Sequence, residues 1–138
     1  MRKFTLETTI DWADCDPAGI VFYPQFFRMM NTGTHAMFAS VGLPFHEMVA
    51  KYNTQGVPML DVQATFRSPV RFGDKVLLES EVTEWRDKTF LVRHVMRKDE
   101  RVVFEAREIR AWAVKDDTAP NGIRAVPIPA DLKALFST

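Results

Sequence analysis

The chain has 138 residues, one cysteine, and 18 basic against 18 acidic side chains. This length fits one domain, residues 1–138, with no room for a separate cofactor-binding unit. The zero net charge excludes the broad positive field that proteins use to bind nucleic acid or a membrane surface. No apolar run is long enough for a signal peptide or a membrane span. We therefore expect a cytoplasmic protein without nucleic-acid or membrane partners.

The first half of the chain predicts a strand followed by a long helix. Residues 4–12 can form the strand. Apolar residues then recur at helical spacing from Phe26 to Val41, which predicts one long amphipathic helix. Gly33 within the apolar stripe lowers helix propensity by about 1 kcal/mol relative to Ala, so we expect it to allow close approach to another backbone. A short second helix is predicted over residues 45–52.

The second half changes to a period of two. The alternation from Leu60 to Phe66 predicts a half-buried strand, and residues 76–85, 88–98 and 101–114 predict three more. The connections between the last three are so short that they require antiparallel hairpins. We therefore predict an α+β fold in which a four-strand meander curls around the helix, with exposed edges covered by pairing of two copies.

Three carboxylates and a thiol fall between residues 11 and 16. A calcium loop starting at Asp14 would place Ala18 and Gln25 where an oxygen ligand and a bidentate Glu belong, so no metal is predicted. Cys15 as a nucleophile needs a base, and no sequence rule places one beside it. A small buried thiol is the alternative interpretation.

Asp16 is the candidate catalytic carboxylate. A loop that enters a long helix brings backbone N–H groups without helical partners close by, and such donors can hold an oxyanion. A carboxylate on one side of a carbonyl group and these donors on the other suit acyl transfer. Capping of a turn explains many Asp residues in such loops equally well, so the residues alone leave catalysis as one of several hypotheses.

Residues 14–24, with the sequence DCDPAGIVFYP, closely resemble the signature of the 4-hydroxybenzoyl-CoA thioesterase family of hotdog-fold enzymes. The likeness continues through residues 41–44, 83–86 and 107–110. It implies an acyl-CoA thioesterase, with a curved antiparallel sheet wrapped around one long central helix. It also implies a homotetramer, a dimer of dimers with sites at subunit interfaces, that needs no cofactor because CoA is part of the substrate.

The resemblance assigns roles by position. Asp16 matches the carboxylate that attacks the thioester carbonyl or activates water, and the family favours direct attack through a mixed anhydride. Tyr23 matches the residue whose backbone N–H polarises the thioester oxygen. Ordinary core packing is the alternative for Val57 and Met59, and His46 replaces an aromatic ring of a close relative. The implied substrate-binding residues are Gly19, Phe22, His46, Val57, Pro58 and Met59.

A charged turn carries the implied CoA contacts. Arg86, Lys88 and Thr89 match family positions that contact the nucleotide, and a protein without net charge must gather its cations locally to bind phosphates. Asp87 stands where the close family pattern has a second Arg, so one phosphate contact is expected to be missing or supplied elsewhere. An ordinary solvated hairpin tip is the alternative.

Three other functions stay open for this sequence. One is hydrolysis of acyl groups on acyl carrier protein, which presents the same thioester without an adenine nucleotide. The second is a hotdog dehydratase, which uses a His with an acidic partner on the central helix, where His35 lies. The third is an acyl-CoA-binding protein without catalysis.

Overall fold

The computed structural model describes residues 2–137, in which one long helix packs against a five-stranded antiparallel sheet. The sheet order is β1-β3-β4-β5-β2, and a separate two-stranded sheet joins β6 to β7. The elements are β1 (Lys3–Thr9), α1 (Pro24–Ser40), α2 (Phe45–Tyr52), β2 (Met59–Phe66), β3 (Lys75–Trp85), β4 (Thr89–Lys98), β5 (Arg101–Ala111), β6 (Ala113–Lys115), β7 (Ile123–Ala125) and α3 (Ala130–Leu135).

The long helix is α1, and its buried stripe is the one that the apolar spacing predicts. Phe26, Met30 and Met37 are among its buried residues. The close approach expected at Gly33 is confirmed, but its partner is different. A Cβ there would lie 2.7 Å from Cδ2 of Leu78 and 3.2 Å from Oγ of Ser80. The glycine therefore makes room for side chains of β3 rather than for another backbone.

The prediction of a four-strand meander is wrong. Strands β3, β4 and β5 form consecutive hairpins, but β2 pairs with β5 at the far edge of the sheet. Strand β1 already occupies the other side of β3. The connection over residues 67–74 is long enough to take the chain across from β2 to β3, whereas a tight hairpin would have forced the two strands to pair.

Two predicted strands end earlier than expected. The first stops at Thr9, because the Asp11 side chain then caps a short 3-10 turn over Trp12–Asp14. The strand predicted over residues 101–114 breaks at the buried Trp112, after which β6 pairs with β7. Helix α2 is confirmed over residues 45–52. Neither β7 nor α3 was predicted.

Strand β2 does not bury an apolar face within one chain, contrary to the half-buried strand predicted for it. Leu60 is 58% exposed, and Val62 and Phe66 are also exposed. Its partly buried Ala64 packs against the core. The alternation is present in the sequence, but β2 is an edge strand whose apolar side chains lie largely outside the core of this chain.

The core consists of two apolar clusters, one along each half of α1. The first includes Met30 and Leu78, and the second includes Phe38 and Val92. Between these two apolar clusters, one residue of α1 and four residues of the sheet bury polar side chains. We call them the buried polar cluster, which consists of Thr34, Ser80, His94, Glu108 and Arg110. Across residues 2–137, no helix combines the length and the apolar composition that spanning a membrane requires.

Candidate active site

Asp16 lies in a narrow turn between the 3-10 turn and α1. Cys15 and Val21 form an antiparallel bridge at the base of this turn. The Asp16 N–H donates to the Ile20 carbonyl at 3.1 Å, and the Gly19 N–H donates to the Asp16 carbonyl at 2.9 Å. Gly19 has a φ of 80°, a left-handed conformation that glycine adopts without strain. The backbone therefore holds Asp16 in place from both sides.

The Asp16 side chain is half-buried, and its two oxygens differ. Oδ1 accepts a hydrogen bond from the Ala18 N–H at 2.9 Å. Oδ2 has no hydrogen-bond donor among residues 2–137. The turn-capping interpretation is thus correct for one oxygen, and the other remains available to an incoming group.

Tyr23 offers a backbone donor where α1 begins. It is the N-cap residue, and Pro24 after it has no N–H. The Gln25 N–H already donates to the Phe22 carbonyl at 2.9 Å, and the Phe26 N–H donates to the Tyr23 carbonyl at 3.0 Å. The Tyr23 N–H has no acceptor within the described residues. Because the helix N-terminus carries partial positive charge, this N–H can stabilise a negative oxygen.

Aromatic rings surround this donor. Phe22, Tyr23 and Phe66 are 47%, 57% and 46% exposed, respectively. The Tyr23 ring centroid lies 5.5 Å from that of Phe22 and 6.2 Å from that of Phe66. Phe66 in turn stacks on Phe26 at 5.8 Å. The start of α1 therefore presents a continuous aromatic surface that suits a flat apolar group.

The segment predicted to line the acyl channel lies elsewhere in the chain. Val57, Pro58 and Met59 line an open cleft of about 300 Å³ together with His35 and other residues of α1 and α2. Neither Asp16 nor Tyr23 is part of the lining. Gly19 and Phe22 are exposed on the Asp16 loop and also lie outside it. One chain therefore carries two separate groups of the predicted site residues.

The floor of the cleft is tied to the buried polar cluster through Arg110. Its Nη1 donates to the Val57 carbonyl at 2.9 Å, and its Nη2 donates to Oδ1 of Asn31 at 3.0 Å. Its Nε donates to Oε2 of Glu108 at 2.6 Å. Sequence reasoning did not find this connection. The available signal was an acidic and a basic side chain, two residues apart, in a strand whose neighbouring residues are largely apolar.

Glu108 is the centre of the buried polar cluster. Its Oε1 lies 2.9 Å from Nε2 of His94, and its Oε2 accepts a hydrogen bond from the Thr34 hydroxyl at 3.2 Å. Nδ1 of His94 lies 2.7 Å from Oγ of Ser80. Burial alone would raise the pKa of the Glu108 carboxyl, but hydrogen bonds from His94 and Arg110 outweigh it and lower that pKa. The buried His94 ring is held between Ser80 and Glu108 in the core of the chain.

The other two histidines are in different surroundings. His35 is half-buried in the cleft, with its ring 6.2 Å from that of Phe45. Burial, and then the positive charge of Arg110, lower the pKa of His35, which favours its neutral imidazole. His46 is exposed on α2, where its Nε2 lies 3.7 Å from Oε1 of Glu47. His46 does not line the cleft.

The predicted CoA-binding residues lie at the hairpin between β3 and β4. Arg86 and Lys88 are exposed, and Thr89 begins β4. The Arg86 N–H donates to the Thr89 carbonyl at 2.9 Å, whereas the Arg86 guanidinium pairs with Glu84. The exposed Asp87 lies between the two cations. A nucleotide phosphate would therefore compete with Glu84 for Arg86.

The alternative chemistries of this region find little support in its geometry. Within residues 2–137, no three His, Cys, Asp or Glu side chains come close enough together to hold a metal ion. Cys15 is half-buried, and its Sγ lies 3.7 Å from the Asp11 carbonyl oxygen, which cannot act as the base that a thiol nucleophile needs.

The architecture is the hotdog fold of an α+β protein, with one long helix against an antiparallel sheet and a carboxylate loop entering that helix. Two solved structures share it closely. The structure of 4-hydroxybenzoyl-CoA thioesterase from Pseudomonas sp. strain CBS-3 is similar at a TM-score of 0.90 and 32% identity, over 98% of this chain and 99% of that chain. A gentisyl-coenzyme A thioesterase is similar at 0.83 and 28% identity, over 98% of this chain and 100% of that chain.

Sequence comparison agrees. The 4-hydroxybenzoyl-CoA thioesterase of Pseudomonas sp. (strain CBS-3) is 32% identical to this chain over 99% of each protein. The 1,4-dihydroxy-2-naphthoyl-CoA hydrolase of Synechocystis sp. (strain ATCC 27184 / PCC 6803 / Kazusa) is 26% identical over 61% of this chain and 60% of its own length. The model of the thioesterase-like superfamily matches residues 10–136. The chain belongs to this superfamily, and the predicted class of enzyme, a thioester hydrolase, is confirmed.

Proposed function

We propose that this thioesterase hydrolyses aromatic acyl-CoA thioesters, with Asp16 as the nucleophile and the Tyr23 N–H as the oxyanion donor. The observation that carries this proposal is a pair of unused polar atoms on one short loop. Oδ2 of Asp16 lacks a donor, and the Tyr23 N–H lacks an acceptor, among residues 2–137. Unused polar groups of opposite character beside an aromatic surface suit a reacting carbonyl group.

The reaction runs in two steps. Oδ2 of Asp16 attacks the thioester carbon, and the carbonyl oxygen takes up negative charge that the Tyr23 N–H stabilises. Collapse of this adduct breaks the carbon–sulfur bond, releases CoA as the thiolate and leaves a mixed anhydride on Asp16. Water then attacks the anhydride, which releases the carboxylic acid and restores the Asp16 carboxylate. The alternative is that Asp16 activates the water directly. Neither route needs a cofactor.

The aromatic character of the acyl group is inferred from the site. The exposed rings of Phe22, Tyr23 and Phe66 lie next to the proposed oxyanion donor, and flat rings pack favourably on such a surface. The relatives act on 4-hydroxybenzoyl-CoA and 1,4-dihydroxy-2-naphthoyl-CoA, both of which carry aromatic acyl groups. We extend this substrate class to the present chain.

The complete site is shared between copies of the chain. Asp16 and Tyr23 do not line the cleft formed by Val57, Pro58 and Met59, which supports a site in which the two groups of predicted residues meet across an interface. The unpaired edge of β2, with the exposed Leu60, gives one surface for this pairing. A homotetramer built as a dimer of dimers is the assembly that we propose.

CoA is the proposed carrier because two exposed cations, Arg86 and Lys88, lie at one hairpin, where Thr89 begins the next strand. Acyl carrier protein offers no nucleotide phosphates for them to bind. The dehydratase alternative loses support because, among residues 2–137, His35 has no side-chain hydrogen bond to an acidic residue, and Glu108 acts on it only through its charge. The alternative of an acyl-CoA-binding protein without catalysis is not favoured, because the proposed site holds both a nucleophile and an oxyanion donor for the thioester bond.

The test is hydrolysis of 4-hydroxybenzoyl-CoA, benzoyl-CoA and butyryl-CoA, followed by detection of the free thiol. We expect turnover of the aromatic thioesters and a loss of at least about 10³-fold in kcat for Asp16→Asn, because the amide is no nucleophile. Asp99→Asn, whose carboxylate is 90% exposed at the turn between β4 and β5, is the matched control and keeps wild-type kcat. Near-wild-type turnover by Asp16→Asn would remove Asp16 from the mechanism.

The two routes differ in where the oxygen of water goes. Repeated turnover in ¹⁸O-water places label in the Asp16 carboxylate if an anhydride forms and water attacks it at the Asp16 carbonyl carbon. Single turnover reports the same direction of attack in the product, because an oxygen of Asp16 then leaves with the acid. Absence of exchange in both experiments excludes attack of water on the Asp16 carbon. Rapid chemical quench during turnover then separates the two remaining routes, because only an anhydride that opens at the acyl carbon leaves an acyl group on the protein.

A further inference from the structure

Asp14 is a buried carboxylate beside the proposed site that the mechanism above does not use. It is 6% exposed, although it lies in a loop whose neighbouring residues are mostly exposed. Both oxygens have partners. Oδ2 accepts the Asp11 N–H at 2.9 Å, and Oδ1 accepts Nη2 of Arg28 at 2.7 Å. A buried carboxylate with both oxygens bound is held in one orientation.

The main chain of Asp14 joins the two ends of the loop. Its carbonyl accepts the Phe22 N–H at 2.9 Å. Asp16 therefore follows this contact by two residues on one side, and Tyr23 follows it by one residue on the other. The proposed nucleophile and the proposed oxyanion donor both extend from the same hydrogen-bonded pair of residues.

Arg28 fixes the same loop to α1. It lies on the helix that begins after Tyr23, and its Nε also donates to Oε1 of Gln25 at 2.8 Å, so its guanidinium is held from two sides. A charge-assisted bond to Asp14 at 2.7 Å then sets the distance between the loop and the helix. Arg28 itself is more than half exposed, so it contributes little to the core.

We propose that Asp14, bound by Arg28, is a positioning residue that fixes the Asp16 carboxylate relative to the Tyr23 N–H; the inference rests on the function proposed above. Neither side chain touches the reacting atoms. Their effect on the rate is large because a misplacement of about 1 Å between reacting groups can lower turnover by about 10²-fold. Loss of the pair lets the loop shift on the helix without unfolding the protein.

The test compares Asp14→Asn, Arg28→Met and the double variant with the aromatic acyl-CoA that the wild type hydrolyses fastest. We expect each single variant to lower kcat by about 10²-fold while KM stays within about twofold, because the binding surfaces are unchanged. The double variant is expected to lose no more than the worse single variant, since both remove one contact. Arg28→Lys, which keeps the charge but not the planar fork, should recover part of the rate.

Thermal unfolding of each variant separates positioning from stability. If kcat falls only in step with the melting temperature, or if KM rises as much as kcat falls, the role is structural and the inference is wrong. Wild-type kcat in Arg28→Met also overturns it, and this exposed variant covers the case in which Asp14→Asn does not fold. If these variants keep their rate while Asp16→Asn is inactive, only the positioning role fails. If Asp16→Asn is active, the proposed function fails and the positioning role with it.

Discussion

The loop over residues 14–23 and the buried polar cluster use the same kinds of polar groups in opposite ways. In the loop, Asp16 and the Tyr23 N–H each keep one hydrogen-bonding position unused among the described residues. In the cluster, each of the five side chains has a partner, and within residues 2–137 no buried side-chain polar atom lacks one. The unused groups fit the ligand site proposed above, whereas the satisfied groups stabilise the core, with Arg110 also at the floor of the cleft.

This difference predicts how the two regions respond to mutation. Removal of a partner from the cluster leaves a buried charge without compensation, so the cost falls on the stability of the fold. Removal of an unused group from the loop leaves no such deficit, so the cost falls on turnover. The predictions below test this separation, beginning with the largest expected effect.

Glu108→Leu is expected to lower the free energy of unfolding by about 3–5 kcal/mol, because it leaves Arg110 as an uncompensated buried cation and removes the partner of His94. Urea unfolding measures this loss. Asp16→Asn serves as the comparison from the loop and should change the unfolding free energy by less than about 0.5 kcal/mol. If Glu108→Leu lowers the free energy of unfolding by less than about 1 kcal/mol, the proposed difference between the cluster and the loop is wrong.

Gly33→Ala tests the packing between α1 and the sheet beside the cluster. The new Cβ would lie 2.7 Å from Cδ2 of the buried Leu78 and 3.2 Å from Oγ of Ser80, so side chains must shift. Overpacking of about 1–3 kcal/mol, less about 1 kcal/mol gained in helix propensity, leaves a net loss of about 0–2 kcal/mol. The urea midpoint reports it, and a more stable variant would contradict the close packing.

Arg86 and Lys88, at the exposed hairpin between β3 and β4, are expected to affect substrate binding rather than stability. Arg86→Ala combined with Lys88→Ala is expected to raise KM for an acyl-CoA about tenfold with kcat nearly unchanged, because the cations bind phosphates far from the thioester. The same variant with the acyl-pantetheine thioester, which lacks the nucleotide, is the control and should show no change in KM. An unchanged KM for the acyl-CoA would remove the hairpin from the binding site.

The pH dependence of stability sharpens the description of Glu108. Its folded-state pKa is lowered, so the stability that its charge contributes is fully present above the ordinary carboxyl pKa and is lost as the pH falls through the folded-state value. We expect the difference in unfolding free energy between the wild type and Glu108→Gln to be constant near neutral pH and to shrink below about pH 4.5. A difference that grows on acidification would reverse the sign of the pKa shift.

The local pattern of the sequence predicts much of this fold. Helical spacing along α1 and the short turns between β3, β4 and β5 are local signals, and the structure agrees with them. The place of β2 beside β5 could not be predicted, because it depends on which sheet edge β1 leaves open. The break at Trp112 is likewise set by tertiary packing, here against the ring of Tyr52 at 5.5 Å.

The candidate site divides in the same way. The Asp16 loop is continuous in sequence, so its motif could be recognised at once, whereas the buried polar cluster joins residues from α1 and three strands. Its hydrogen-bonded members are separated by up to 74 positions, as between Thr34 and Glu108, and no spacing rule connects them. Arg110 illustrates the limit, since its contact with the Val57 carbonyl is visible only in three dimensions.

In the proposed assembly, the exposed apolar edge of β2 would make the activity of the enzyme depend on its concentration. If copies of the chain pair along this edge, mass action links assembly to the amount of protein present, and dilution separates the halves of every site. Specific activity would then decline in dilute solution with no change in any residue. A newly synthesised monomer would be inactive until it paired with a second copy, and the onset of hydrolysis would follow second-order kinetics.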